Sequence, residues 1–379
     1  MRSSTNENID ALFNWHKVKF SKMEVLFGDV AIQEVINTVN VFINIESIYH
    51  LFHNQYIEDA VISMDKAQLR SFHSCIIANT LNLAAHYRWF FTKNKIATNI
   101  VFYMSQYSKY TNQNNFLHNK HYREKYVYDY TDNPNYEGIN SVMSSVLRAL
   151  DNIVDYVNGV YFISSDRIES SLIPMVITEE KMTNGQLNLI ITRDRYDLQY
   201  VNKKYLVLYP KGEESVIVTN ENLFEILRTK HYWKTDYKLP SYLFSFMLAV
   251  IGDTRRNLTK VKGISWKSLY KKLAELFDSM DISDDEIVSF EQLAVSIKED
   301  PAAPVNNRKL VIDNYMCIDL DRQYAMVSNP QKMDIERQII DRYEGNALKD
   351  LNDKYFKETP INIIELNQYS SNRRRKKIF

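Results

Sequence analysis

Three short runs constrain this chain more than anything else in it: NTVNVFIN at 37–44, ATNIVFYM at 97–104 and LNLIITR at 187–193. Each is rich in β-branched or aromatic residues with few charges, the pattern of a strand buried in a sheet. The stretches between them read differently. Residues 46–56 suit a helix, and 65–93 suit a long one, with Leu69, Phe72, Ile76, Leu81 and Leu83 near helical spacing. Helices over 139–157 and near 168–178 flank the strand GVYFIS, and the strands KYLVLY and SVIVT precede helices at 221–229 and 241–250. Strands that alternate with helices predict an α/β fold with a mostly parallel central sheet flanked by helices.

Composition sets the limits around that core. With 379 residues and 45% apolar content, the chain is long enough for a large interior plus extensions. Gly and Pro number only eight each, which argues against a long linker or a disordered half. Residues 1–36 read as a helical N-terminal extension with no signal-peptide core, and 37–250 as the α/β core. A polar insertion at 106–138 interrupts that core; 251–300 and 301–379 follow, the last a mixed segment ending in the basic tail SSNRRRKKIF. No run of ~18 apolar residues is present, so no membrane contact is expected. Cys75 and Cys317 lack ligand-like spacing and exclude a disulfide framework. The expected location is the cytoplasm of a host cell or the inside of a virion, not the secreted space. The 47 basic and 47 acidic residues cancel, so any contact with a polyanion must come from local patches.

One patch is IGDTRRNLTKVKGISWKSLYKKL, 251–273. Lys260, Lys262, Lys267, Lys271 and Lys272 surround Gly263 there, and a turn of this kind points backbone N–H groups at phosphate oxygens without reading sequence. Gly263 is expected to let the backbone of the turn come close to those phosphates, since no Cβ intervenes. Gly252, Asp253, Asn257, Val261, Gly263, Ile264, Lys267 and Leu269, together with the strand and following residues IITRDRYDLQYV at 190–201, resemble the 5′-3′ exonuclease and flap endonuclease superfamily, phage type. A looser likeness covers YMCIDLDRQY at 315–324 with IERQIIDRY after it; the whole spans about 37–345, patchily. The resemblance implies a PIN-like core, a helix–hairpin–helix-type DNA-binding region over 251–300 and hydrolysis by two divalent metals.

Two-metal hydrolysis needs clustered carboxylates around cations ~4 Å apart. Carried over position by position, the family's acids are largely replaced. Asn44 stands at the end of the first strand, Ser105 after the second, and Ser170 and Ser171 in the acidic helix start. In the paired-acid motif Asp194 is kept, but Tyr196 replaces its partner; in the turn Arg256 replaces the metal-facing acid. The expectation is therefore no metal and no catalysis, with Arg256 either paired with Asp194 or reaching a phosphate.

The insertion 106–138 corresponds to the family's arch over single-stranded DNA, and its Lys120, Arg123 and Lys125 lie among Tyr122, Tyr126 and Tyr128. Basic residues interleaved with aromatics suit single strands, and serve equally well as a docking surface for protein. His50 with His53, and His118 with His121, lack the further ligands a zinc site needs. The reading favoured by sequence is a catalytically inactive member of the superfamily that binds the DNA backbone, or serves as a structural subunit, in a larger phage or viral assembly, with other protein subunits as partners. One alternative is an active Mg²⁺-dependent nuclease with a site rearranged around Asp194, Asp166, Glu169, Asp197 and Asp253; another is a purely structural docking protein.

Overall fold

The computed structural model describes residues 9–19, 23–24, 36–49, 55–105, 142, 146–154, 157, 159–202, 205–211, 214–220, 222–226, 239–253, 256–280, 293 and 307–339. A six-stranded sheet runs through the middle in the order β3-β2-β1-β4-β5-β6. Its strands are β1 Thr38–Asn44, β2 Ala97–Ser105, β3 Val160–Ser165, β4 Leu187–Ile191, β5 Tyr205–Lys211 and β6 Glu214–Val218. All pairings are parallel except the last, where β6 returns antiparallel to β5 along the edge. The mostly parallel sheet expected from sequence is thus present.

Successive side chains of a strand point to opposite faces, and here both faces are buried. Val39, Val41 and Ile43 of β1 enter one apolar cluster, with Ile100 and Phe102 of β2. Phe42 enters the other, with Val101, Ile190 and Val207. The first cluster is covered by α1, Lys66–Lys93, whose start is fixed by a capping box between Asp65 and Gln68. Ile9 and Phe13 of the N-terminal extension are fully buried in that same cluster, so the described part of the extension packs on its own chain. His86 Nε2 and the Val18 carbonyl lie 2.9 Å apart, and Tyr87 donates to the carbonyl of His16.

The second cluster is covered by α2 Ile173–Glu179, α3 Leu243–Ile251, α4 Trp266–Met280 and α5 Asn307–Ile318, followed by α6 Leu320–Ala325 and α7 Asn329–Gln338. Every residue of α3 from Leu243 to Val250 is buried, which makes it the central helix of this layer. Over 307–338 the chain is helical apart from short turns; the apolar residues Val311, Cys317, Ile318 and Leu320 are buried against the second face of the sheet.

At the amino end of the sheet the cross-strand neighbours Asn40, Asn99 and Asn188 bond side chain to side chain: Asn40 donates to Asn188 at 2.9 Å and Asn99 to Asn40 at 3.0 Å. Three buried or half-buried amides in register satisfy one another and fix the strand alignment. The insertion 106–138 with Lys120, Arg123 and Lys125, the histidines 50, 53, 118 and 121, most of 281–306 and the tail 340–379 lie outside the described residues.

Candidate functional site at the reversal of strand order

From β1 the chain moves outward to β2 and β3 on one side, then returns to lay β4, β5 and β6 on the other. Strand order reverses between β1 and β4, so their connections diverge at the carboxyl ends and open a crevice, the place where open α/β sheets put ligands. Asn44 ends β1 there, opposite Tyr103 of β2, and Thr192 to Asp197 follow β4.

At the centre is Asp197, a fully buried carboxylate. Its Oδ2 accepts from Asn44 Nδ2 at 2.8 Å, Tyr103 Oη at 3.0 Å and Thr192 Oγ1 at 2.6 Å. Its Oδ1 is buried and has no hydrogen-bond partner among the described residues. Burial above all, and then the nearby charge of Asp194, raise its pKa to about 7 against the pull of the three donors. The same burial, reinforced by Asp197, keeps the Tyr103 phenol neutral by pushing it well above its usual range.

Beside this neutral knot lies a charged one. Arg256 Nη2 donates to Asp194 Oδ2 at 2.9 Å, and its Nη1 sits 3.6 Å from Asp253 Oδ2. Arg195 Nη2 reaches the same Asp253 oxygen at 3.1 Å. The guanidinium of Arg256 also lies over the Tyr196 ring, 3.5 Å from its centroid. The Asp194 side chain is 20% exposed and that of Arg195 34%, whereas those of Arg256 and Asp253 are 6% and 5%. Local backbone bonds hold Asp194 for this pairing: its Oδ1 accepts from Tyr196 N at 3.0 Å, and its own N–H donates to Thr192 Oγ1 at 2.9 Å. Thr192 therefore ties the neutral and charged knots together.

Of the sequence candidates, Asn44, Asp194, Tyr196 and Arg256 meet at this crevice. Ser105 does not point to a ligand: its Oγ donates to the Ile168 carbonyl at 3.2 Å and its N–H to Glu46 Oε2 at 3.3 Å. Ser170 and Ser171 are buried in the 3₁₀ turn Ser170–Leu172. Glu169 is 3% exposed, and Asp166 is paired with its neighbour Arg167 at 3.7 Å. Asp197 entered the sequence reading only as a displaced acid; its central place, and those of Tyr103 and Thr192, were not singled out. Each sits one or two residues from a motif position, and that closeness was the available signal.

The turn after α3 comes next. Gly252 caps that helix at φ 67°, and a Cβ there would fall 2.5 Å from the Leu258 carbonyl oxygen and 2.8 Å from Lys260 N. Asp253 and Leu258 exchange both backbone bonds, closing a tight loop in which Asn257 takes φ 54°. Asn314 of α5 donates at 2.8 Å to both the Ala249 and Thr259 carbonyls, fastening the loop to the helical layer. Gly263 has φ 77° but nothing within 4 Å of where a Cβ would stand. The chain doubles back on itself at Gly252, whereas Gly263 takes the left-handed conformation with open space beside it. Lys260, Lys262 and Lys267 are exposed around it.

This donor set does not fit a pair of divalent cations. Asp194 and Asp253 already share a guanidinium, Asp197 faces three neutral donors, and the remaining positions are Asn, Ser and Tyr. Among the described residues no group of three or more His, Cys, Asp or Glu is placed to hold a metal, and no helix is long and apolar enough to cross a membrane.

In fold the chain is similar to solved nuclease structures. A bacteriophage T5 flap endonuclease variant crystallised with DNA and metal ions matches at 13% identity and a TM-score of 0.49, over 79% of this chain and 97% of that one. The T5 5′-exonuclease with bound zinc matches at 12% identity and a TM-score of 0.48, over 81% and 100%. The catalytic core of Rad2 with a DNA substrate matches at 12% identity and a TM-score of 0.38, over 89% and 92%. No family model matches the sequence. No curated protein matches it either.

Proposed function

We propose that this chain is an inactive counterpart of the flap endonucleases, one that holds DNA by its backbone and does not cut it, as a subunit of a phage or viral assembly. The observation that carries this reading is Arg256. Its guanidinium stands between Asp194 and Asp253, at hydrogen-bonding distance from one and 3.6 Å from the other. A fixed internal cation of this kind compensates the surviving carboxylates and removes the electrostatic reason for a divalent ion to enter. Burial supports the same reading. A scissile phosphodiester must reach its catalytic groups, yet Asp197, Tyr196, Arg256 and Asp253 are all at most 6% exposed.

Binding rests on different residues. The exposed Lys260, Lys262 and Lys267 around the Gly263 turn form a positive edge on a neutral protein, suited to phosphates and indifferent to base sequence.

Two measurements test the two halves. Incubation with 5′-flap DNA and Mg²⁺ or Mn²⁺ is expected to yield no product; turnover that Asp194→Ala abolishes would establish an active enzyme instead. DNA affinity is expected to fall with salt and to drop further when Lys260, Lys262 and Lys267 are changed to Glu. Affinity indifferent to both would leave a structural docking protein.

A further inference from the structure

Beside the charged knot is a groove of about 370 Å³, lined by Arg195, Gly252, Asp253, Asn257, Thr259 and Lys260, with Ile251 and Leu258 at its apolar side. We propose that this groove is a binding site for a phosphate group, with Arg195 as its principal ligand and Lys260 beside it; as a site on DNA it rests on the reading above.

The charges argue for an anion. Among the described residues, Arg256 and Arg195 pair with Asp194 and Asp253, and Lys260 adds a further positive charge at the groove. Geometry argues that Arg195 is the group offered. It is the most exposed member of the knot, at 34%, and one nitrogen, Nη2, holds it to Asp253 at 3.1 Å. A guanidinium has five N–H donors in a rigid fork, so an arginine pinned at one corner still presents others in a fixed direction. Among the described residues no hydrogen bond to its Nε or Nη1 is present, and the side chain lines the groove. Pinning removes much of the rotamer entropy that a free surface arginine loses on binding.

Asp253 is the obvious objection, since a carboxylate in the wall repels a phosphate. It is compensated twice, however, by Arg195 and by Arg256, and it is 5% exposed against 34% for Arg195. A ligand entering from solvent meets the guanidinium first. Asp253 is thus a positioning residue, holding Arg195 in the way a carboxylate orients a ligating side chain from behind. The neighbouring backbone shapes the groove: the loop packs back against Gly252, where a Cβ would fall 2.5 Å from the Leu258 carbonyl oxygen, and Asn257 takes φ 54°.

A phosphate oxyanion could come from a nucleic-acid backbone or from a free phosphate, and two probes separate the sources. The first is ³¹P line broadening of inorganic phosphate added to the full-length protein; the second is fluorescence anisotropy with a labelled DNA duplex across a salt series. The variants are Arg195→Gln, Arg195→Lys and Lys260→Gln, with Lys93→Gln on the far layer as control. For a backbone site, Arg195→Gln weakens DNA binding about tenfold and lowers the magnitude of the salt slope by about one, as loss of one phosphate contact does. Arg195→Lys keeps part of the affinity, and Lys93→Gln changes nothing. For a free-phosphate site, Arg195→Gln abolishes the ³¹P broadening and the groove assignment stands; the DNA-gripping function falls if the wild type binds no DNA, and survives through other residues if DNA binding is present and unaffected. If DNA binds with the same affinity and slope with and without Arg195, and phosphate does not broaden, the groove assignment is overturned while the DNA-gripping function survives. If neither probe binds the wild type, both fall. Should Arg195→Gln not fold, Arg195→Lys and Lys260→Gln carry the same comparison.

Discussion

Replacing Arg256 by Met tests whether an internal cation holds the crevice together. Met fills similar length over the Tyr196 ring but brings no charge, so Asp194 loses its 2.9 Å partner while Asp253 keeps Arg195. Removing one member of a buried pair costs about 3–5 kcal/mol, mostly because the other charge is left in a poorly solvated place. Two features reduce that here. Asp194 is 20% exposed and recovers some hydration, and Asp253 retains a guanidinium at 3.1 Å. Loss of the stacked cation adds about 1 kcal/mol in the other direction. The expected deficit is about 3 kcal/mol, a large share of a typical domain's stability but not all of it.

Urea unfolding at neutral pH measures the deficit as a change in midpoint at constant slope. Three signatures should accompany it. Because the pair is largely buried, raising the salt concentration changes the deficit little. Lowering the pH shrinks it, since protonation relieves the stranded carboxylates. Adding Asp194→Asn to Arg256→Met restores about 1–3 kcal/mol relative to the sum of the single changes, the coupling expected of groups in contact. A loss under about 1 kcal/mol, or strict additivity with Asp194→Asn, would show that the guanidinium is not holding these carboxylates, and the argument for an internal cation would fail.

Three further outcomes are expected. The Asp197 carboxyl has a pKa raised to about 7 from an ordinary value of 3.8, so its contribution to stability is full below about pH 4, declines as pH rises through that window and levels off above about 7. At about 1.4 kcal/mol per pH unit the loss is on the order of 4 kcal/mol, and Asp197→Asn should flatten that limb of the stability–pH curve; an unchanged limb would place the proton elsewhere. Gly252→Ala should cost several times more than Gly263→Ala in the same unfolding assay: both meet the ~1–2 kcal/mol left-handed penalty, but only at Gly252 does the new Cβ strike backbone, at 2.5 Å, and equal losses would contradict the doubled-back loop. Finally, R256D places a third carboxylate beside Asp194 and Asp253, so Mn²⁺ should raise the Tm of that variant by several degrees and leave the wild type unmoved; a comparable wild-type shift would mean the native crevice already takes the ion.

The sheet was legible because its strands need cover on both faces, and runs such as Val39 to Ile43 cannot be placed otherwise. The long helix was equally legible, from spacing alone, and its Asp65–Gln68 cap could have been read as well. The crevice was readable only in part. Asn44, Tyr196 and Arg256 stood out because flanking residues fixed their register, and an Arg256–Asp194 pair followed from opposite charge. Asp197 did not, because RYDLQYVN has the polarity of a surface segment. It is instead a 3₁₀ helix in which Tyr196 to Tyr200 are all buried, with Gln199 donating to the carbonyl of Ile318 at 3.0 Å. Periodicity assumes one buried face, and a segment enclosed on every side has none to show. The Gly252 contact was hidden for a related reason: which glycine lies against backbone depends on where a loop returns, and no local pattern records that.

Burial at the crevice has a consequence for how such a site can change. A cluster of carboxylates without cations is self-repelling, so losing a metal while keeping its ligands would strain the fold at its most constrained point, where β1 and β4 part. Without Arg256, Asp194 would lose the guanidinium it bonds at 2.9 Å and Asp253 the one 3.6 Å away. The arrangement seen here resolves both difficulties. Asn44, Tyr103 and Thr192 surround one acid with hydrogen-bond donors, and Arg256 supplies positive charge to the other two. A metal, however, exchanges its ligands, whereas a guanidinium anchored in the chain and seated on Tyr196 does not. These residues of the crevice belong to the interior, and the most exposed member of the charged knot is Arg195, at 34%. Among the described members of the knot, Arg195 is thus the one best placed to meet a ligand from solvent, at the groove it lines.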